Sequence, residues 1–322
     1  MVKLIIQIPC YNEEQTLGRT LADLPERIDG IDEIERLIIN DGSTDRTVQV
    51  ARENGVEHIV DLPRNQGLAK GFMAGLQAAL AAGADIIVNT DADNQYNGDD
   101  IRHLVAPVLK KEADIVIGAR PISDIAHFSA MKKWLQKLGS WVVRVTSGTN
   151  IADAPSGFRA ISREAALRLN VFNEYTYTLE TIIQAGQKGM TVISVPVRVN
   201  ADLRPSRLVK SVRSYVMQSL LTIFRIFMVY RPLRFFLWLG SIPIALGLVL
   251  GFRWLILYAY FPEPGRTHVP SLILAMLLLL GGFQLWVFGF LADLVAVNRI
   301  LLEDLQYRVR KDSLGARSSG PS

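Results

Sequence analysis

Residues 86–95 read Ile-Ile-Val-Asn-Thr-Asp-Ala-Asp-Asn-Gln. A short apolar run bounded by turn-forming residues predicts a fully buried strand, and here it leads straight into two carboxylates two positions apart. In a loop, Asp91 and Asp93 can reach one hard divalent cation. Mg²⁺ and Mn²⁺ take oxygen ligands and are often shared between carboxylate and phosphate. An Asp-x-Asp triplet alone does not settle the chemistry, because acidic loops are common, so the flanking chain has to be read with it.

Working outward, β-rich runs at Lys3–Ile8, Ile34–Ile39, Ile86–Asn89 and Ile115–Gly118 alternate with helical patterns at Glu14–Leu24, Asp45–Asn54, Leu68–Ala82 and Asp99–Lys110. Such alternation implies an α/β fold, a Rossmann-like, mostly parallel sheet with helices on both faces. Sites in these sheets lie outside the carboxyl ends of the strands. Those ends carry Pro9-Cys10-Tyr11-Asn12-Glu13-Glu14, Asn40-Asp41-Gly42-Ser43-Thr44-Asp45, Thr90 to Gln95, and Ala119-Arg120. Neither a GxxxxGK[ST] loop nor a GxGxxG after the first strand occurs, so nucleotide binding would have to use carboxylates and a metal. Asn40-Asp41-Gly42 also has turn chemistry, and Asp45 is placed to cap the next helix.

The 322 residues allow one large domain or two smaller ones. With 49% hydrophobic residues and no low-complexity tract, the chain is neither fibrous nor disordered. Cys10 is the single cysteine, which excludes a disulfide scaffold and a thiolate zinc site. Residues 1–200 hold 21 basic and 25 acidic side chains, whereas residues 201–322 hold 14 and 6. The basic excess sits beside the apolar segments, which suits a membrane surface and argues against nucleic acid.

Phe235–Phe252 and Ser271–Ala292 are free of charge over 18 and 22 residues. At helical rise the second spans about 33 Å, close to a bilayer core of about 30 Å. A transmembrane hairpin over 235–298 is expected, with spans near 235–258 and 271–295. Arg225, Arg231 and Arg234 precede it and Arg299, Arg308, Arg310 and Lys311 follow, so both termini are expected in the cytoplasm. The opening apolar run, broken by Gln7 and Pro9, is too short for a signal-peptide core. The remaining boundaries are a catalytic-type domain at 1–206, an amphipathic interfacial region at 207–234 and a cytoplasmic tail at 299–322, disordered beyond about Lys311.

The motifs at 9–14 (PCYNEE), 40–45 (NDGSTD), 65–71 (NQGLAKG), 90–95 (TDADNQ), 118–120 (GAR) and 156–159 (SGFR) together resemble the family 2 glycosyltransferases of GT-A fold. The hairpin narrows the resemblance to the polyisoprenyl-phosphate branch, which includes dolichyl-phosphate mannose synthase and bacterial polyprenyl-phosphate glucosyltransferases. The resemblance covers roughly residues 3–210 by motif. The QxxRW motif of processive synthases is not found, which argues against a polymerase.

The resemblance implies an inverting transfer of one sugar from a UDP- or GDP-hexose to polyprenyl phosphate, with Mg²⁺ or Mn²⁺. It places Pro9, Tyr11, Glu13, Ile39 and Asp41 around the nucleotide and Asp91, Ala92 and Asp93 at the nucleotide-sugar and metal, with Asp93 the first choice for direct ligation and Gln95 a further ligand. Arg120 would face the diphosphate or the acceptor phosphate. Lys132, Lys133 and Lys137 either hold the lipid phosphate or form a solvated helix face. Arg204 and Arg207 fall where the family has an Arg…Ser-Lys segment, but the upstream arginine position is Ala201, so the diphosphate clamp departs from the pattern. An integral membrane enzyme is implied, of the plasma (inner) membrane if the source is bacterial or archaeal, and the hairpin can support a homo-oligomer. Two rivals are a family 2 enzyme that glycosylates a lipid hydroxyl and a non-catalytic membrane scaffold.

Overall fold

A computed structural model describes residues 1–121, 144, 147–149, 151–171, 177–200, 221, 224–225, 228–260 and 269–318. Seven strands form one sheet: β1 Lys3–Cys10, β2 Glu33–Asp41, β3 His58–Leu62, β4 Ile86–Asn89, β5 Ile115–Ala119, β6 Arg159–Ser162 and β7 Val192–Pro196. Their order is β3-β2-β1-β4-β6-β5-β7. All neighbouring pairs are parallel except those of β6, which runs antiparallel to both β4 and β5. The expected α/β, mostly parallel GT-A architecture is therefore present. Strands β3, β6 and β7 are additions to the four read from sequence.

Strand β1 shows why the central strands read as continuous apolar runs. Leu4, Ile6 and Ile8 belong to one core cluster with Ile38, Val88 and Val116, and with Leu17 and Leu21 of α1 (Leu17–Ala22) and Leu104 and Val105 of α4 (Ile101–Leu109). The opposite face carries Ile5 and Gln7, covered by α3 (Leu68–Ala81). Both faces being covered, alternation is lost and Leu4 to Ile8 are buried in unbroken succession. Each such branched side chain stabilises the fold by about 1.5–3 kcal/mol relative to exposure. α3 comes close because Gly75 has no Cβ; one there would lie 2.5 Å from Gln7 Oε1 and 2.8 Å from Ile39 Cδ1.

Helix α2 is Thr47–Glu53, α5 is Arg163–Arg168 and α6 is Thr178–Gln187. Two long helices follow, α7 at Pro232–Tyr260 and α8 at Val269–Ser318. The chain divides into two compact units, one of residues 1–219 with 303–322, the other of residues 220–302.

In the second unit both helices are long and apolar enough to cross a membrane. Their apolar side chains are exposed: Trp238 at 76%, Phe252, Met276 and Leu294 among them. A buried core hairpin would hide them. The helices run antiparallel, since contacts pair 236 with 289, 240 with 282, and 247 with 275 and 279. The glycines on both sides allow this approach, as small residues do between membrane helices.

The C-terminal boundary departs from expectation. Helix α8 does not give way to a tail near residue 299 but continues to Ser318, and its last part packs in the first unit. The interfacial region 207–234 lies largely outside the described residues.

Candidate active site

Strands β1, β2, β4 and β5 all end at one edge of the sheet, and β6 starts there, with Arg159 paired in register to Asn89 and Ile117. The segments expected to carry chemistry thus converge. Two of the loops are stitched together by side chains. The Asn12 backbone N–H donates to Ser43 Oγ at 2.9 Å, and Asn12 Oδ1 accepts from the Thr44 N–H at 2.8 Å. Asn12 sits in the left-handed region, φ 56°, which asparagine tolerates. The expected cap shifts by one residue: Arg46 is the N-cap of α2, with no side-chain cap bond, and Asp45, just before it, accepts from the Thr47 N–H at 3.0 Å.

The Asp91–Asp93 turn is held from outside. Thr20 Oγ1 of α1 donates to the Ala92 carbonyl at 2.9 Å. Asn94, also left-handed, donates to Asp23 Oδ2 at 2.7 Å. Asp93 Oδ1 accepts from the Gln95 N–H at 3.1 Å. Burial and the neighbouring Asp93 charge push the Asp91 carboxyl up to about 7, while Arg120 and Arg159 pull the other way. Two crowded carboxylates that resist joint ionisation are what a divalent cation relieves.

Gly157 leaves the space beside Asp91 open. A Cβ there would lie 3.0 Å from Tyr177 Oη and 3.1 and 3.2 Å from the Asp91 carboxylate oxygens. Among the described residues no cluster of three His, Cys, Asp or Glu side chains stands together. Paired carboxylate oxygens are hard donors that fit a Mg²⁺ or Mn²⁺ ion sharing its other ligands with phosphate and water.

Two buried arginines flank this turn. Arg120 Nε donates to Asp153 Oδ2 at 2.7 Å and Nη2 to Oδ1 at 3.1 Å, with the two side chains 10% and 1% exposed. Burial works against the Arg120 charge, but Tyr96, Asp153 and Asp91 outweigh it and raise its pKa. Sequence reasoning gave Arg120 to a phosphate and missed Asp153. The structure commits one edge of the guanidinium to that carboxylate. Arg159, fully buried, donates to Thr181 Oγ1 at 2.7 Å, to the Thr178 carbonyl at 3.2 Å and to the Ser156 carbonyl. Tyr177 stacks on Phe72 at 3.9 Å between centroids, and its hydroxyl accepts from Asn89 Nδ2 at 2.9 Å.

On the other side, Asp41 is buried and its two oxygens accept from the Gln66 and Gly67 N–H groups at 2.7 and 2.9 Å. It therefore shapes the loop before α3. Ile39 is buried, Pro9 and Glu13 are half-buried, and Tyr11 is exposed. Glu13 Oε2 accepts from Thr16 Oγ1 at 2.9 Å. Ala92 is buried and Gln95 half-buried. Glu180 is buried on α6. Lys132, Lys133, Lys137, Ala201, Arg204 and Arg207 lie outside the described residues.

Residues 5–169 match the family described as glycosyl transferase family 2. That is half of the chain, and the chain belongs to this family; it is a glycosyltransferase. Undecaprenyl-phosphate mannosyltransferase of Micrococcus luteus is 27% identical over 64% of this chain and 88% of its own. UDP-N-acetylglucosamine–dolichyl-phosphate N-acetylglucosaminyltransferase of Methanococcus voltae is 29% identical over 59% and 83%. In fold, the chain is similar to glucosyl-3-phosphoglycerate synthase of Mycobacterium tuberculosis, solved with Mn²⁺, UDP-glucose and phosphoglyceric acid, with TM-score 0.53 and 22% identity over 69% and 79%.

Proposed function

We propose that the protein transfers one sugar from a nucleotide-sugar to a polyprenyl phosphate at the membrane surface, with inversion. The observation that carries this is the Asp91–Asp93 pair at the end of β4, flanked by Arg120 and Arg159, in a chain with two exposed apolar helices. Relatives named for undecaprenyl and dolichyl phosphate support the acceptor class. They differ in sugar, mannose in one and N-acetylglucosamine in the other, so the resemblance does not choose the sugar. The basic flanks of the apolar helices favour cytoplasmic termini.

Asp91 and Asp93, with Gln95 in the same turn, would hold Mg²⁺ or Mn²⁺, whose charge assists departure of the nucleoside diphosphate. The loops around Tyr11, Glu13 and Asp41 form the nucleotide side of the site. Arg120, fixed by Asp153, aims its remaining N–H donors at phosphate oxygens. The acceptor phosphate is already ionised near neutrality, since the second pKa of a phosphate monoester is about 6. No strong base is then needed. The side chains align the phosphate with the anomeric carbon and neutralise charge.

The test uses the full chain in detergent with Mn²⁺, undecaprenyl phosphate or dolichyl phosphate, and labelled UDP- and GDP-sugars. Acid-labile label in the organic phase is expected with one donor. Label in an acid-stable lipid would move the acceptor to a lipid hydroxyl, and no lipid label at all would overturn the acceptor class.

A further inference from the structure

Helix α6 has the candidate site at one end and the end of α8 at the other. At its N-terminal end, Tyr177 stands beside Gly157 near Asp91, and Thr178 and Thr181 receive Arg159. At its C-terminal end, Lys188 Nζ pairs with Glu303 Oε2 of α8 at 2.8 Å, the side chains being 21% and 5% exposed. Lys188 also donates to the Arg168 carbonyl at 2.6 Å. One turn earlier, Gln184 accepts from the Asn170 N–H at 3.0 Å and donates to the Asn170 carbonyl.

Asn170 is held in turn by α8. Its Nδ2 donates to Gln306 Oε1 at 2.6 Å, and its Oδ1 accepts from Arg310 Nη2 at 2.7 Å. Arg310 Nη1 donates to the Leu169 carbonyl at 3.0 Å. Glu303, Gln306 and Arg310 recur at helical spacing, so one face of α8 makes every one of these contacts. Exposed ion pairs contribute little, but a shielded pair backed by hydrogen bonds fixes geometry.

We propose that Glu303, Gln306 and Arg310 are positioning residues of the transferase, which act through Lys188 and Asn170 to hold α6 so that Tyr177 and Arg159 frame Asp91. This rests on the reading of Asp91 as part of the active site. None of the three touches reacting atoms. The helix that supplies them, Val269–Ser318, also contains the second apolar span, so the positioning element is covalently continuous with it.

The test compares full-length Glu303→Lys, Lys188→Glu and the double exchange, with Gln306→Ala as a milder variant. Two readouts are used: amide exchange of the substrate-free protein, and kcat and KM with the donor that the wild type consumes. Each single reversal is expected to speed exchange at Thr181 and Ile182 by about tenfold or more, because local opening sets that rate. It should also lower kcat about tenfold while donor KM moves less than about twofold, the mark of misalignment. Gln306→Ala should show the same pattern more weakly, and the double exchange should restore both readouts in part, because a carboxylate at 188 re-forms the ion pair but cannot donate to the Arg168 carbonyl. Exchange that quickens only around Arg168 and Lys188, or singles with unchanged kcat, would overturn the proposal. A wild type that fails to label polyprenyl phosphate would sink the acceptor assignment while the exchange result still decides this one.

Discussion

Asp153 grips Arg120 at two points, Nε to Oδ2 at 2.7 Å and Nη2 to Oδ1 at 3.1 Å, with the carboxylate almost wholly buried. A planar fork on a carboxylate fixes both position and plane. Asp153→Ala would leave a buried guanidinium uncompensated, which costs about 3–5 kcal/mol. Denaturant titration should show that loss, together with a fall in transfer rate. Arg120→Lys keeps the charge and loses the fork, so its rate should also fall while its stability drops less. Equal stability in wild type and Asp153→Ala would mean the pair does not hold the arginine.

Asp93 is half-buried and its side chain accepts one hydrogen bond within its own turn, from the Gln95 N–H. Asp93→Ala should therefore leave the unfolding midpoint near wild type. Transfer should fall by about 10²–10³-fold or more, as when a group aimed at developing charge is removed. Chelation of divalent ions from the wild type should reproduce the loss. An Asp93→Ala enzyme with full rate in EDTA would remove Asp93 from the metal site.

The raised pKa of Asp91, about 7, has a defined sign for stability without metal. The folded carboxyl binds its proton more tightly than the unfolded one, whose pKa is about 3.9. Between about pH 4 and 7 the native state holds the extra proton, so stability falls as pH rises through that window. Asp91→Asn removes the titration. In EDTA, the melting temperature of Asp91→Asn relative to wild type should climb from pH 5 to pH 8. A parallel pH course for the two proteins would show that Asp91 ionises freely.

The four strands read from sequence were those whose apolar runs end in polar, turn-forming residues. Strand β6 escaped because Arg159 opens it, and two of the groups that receive this fully buried charge, Thr178 and Thr181, lie far along the chain. Asp153 escaped for a similar reason: its partner lies 33 residues away, and spacing alone does not show the pair. Thr20 and Asp23, which hold the Asp91–Asp93 turn from α1, are likewise 72 and 71 residues from their partners. The end of α8 is rich in Asp, Gln, Arg and Lys, which reads as a solvated tail until residues 164–170 are brought beside it. Local patterns thus located the carboxylates, and tertiary contacts supplied what holds them.

The hairpin gives a sharper test than its hydropathy does, because two adjacent glycines face different surroundings. A Cβ on Gly282 would lie 2.5 Å from Ile244 Cγ1 and 2.7 Å from the Gly240 carbonyl, whereas one on Gly281 meets nothing within 4 Å. Close by, Trp286 Nε1 donates to the Leu237 carbonyl at 3.1 Å, a bond that requires the helices to stay in contact. Gly282→Val must separate the helices or shift their register, while Gly281→Val changes helix propensity by nearly the same amount without a clash. In detergent, the unfolding midpoint of Gly282→Val should drop by about 5 °C or more, and that of Gly281→Val by much less, since about 1 kcal/mol moves a unit of this size by about 4–8 °C. Equal shifts in the two variants would mean that propensity alone was read and that the helices do not meet at Gly240 and Gly282.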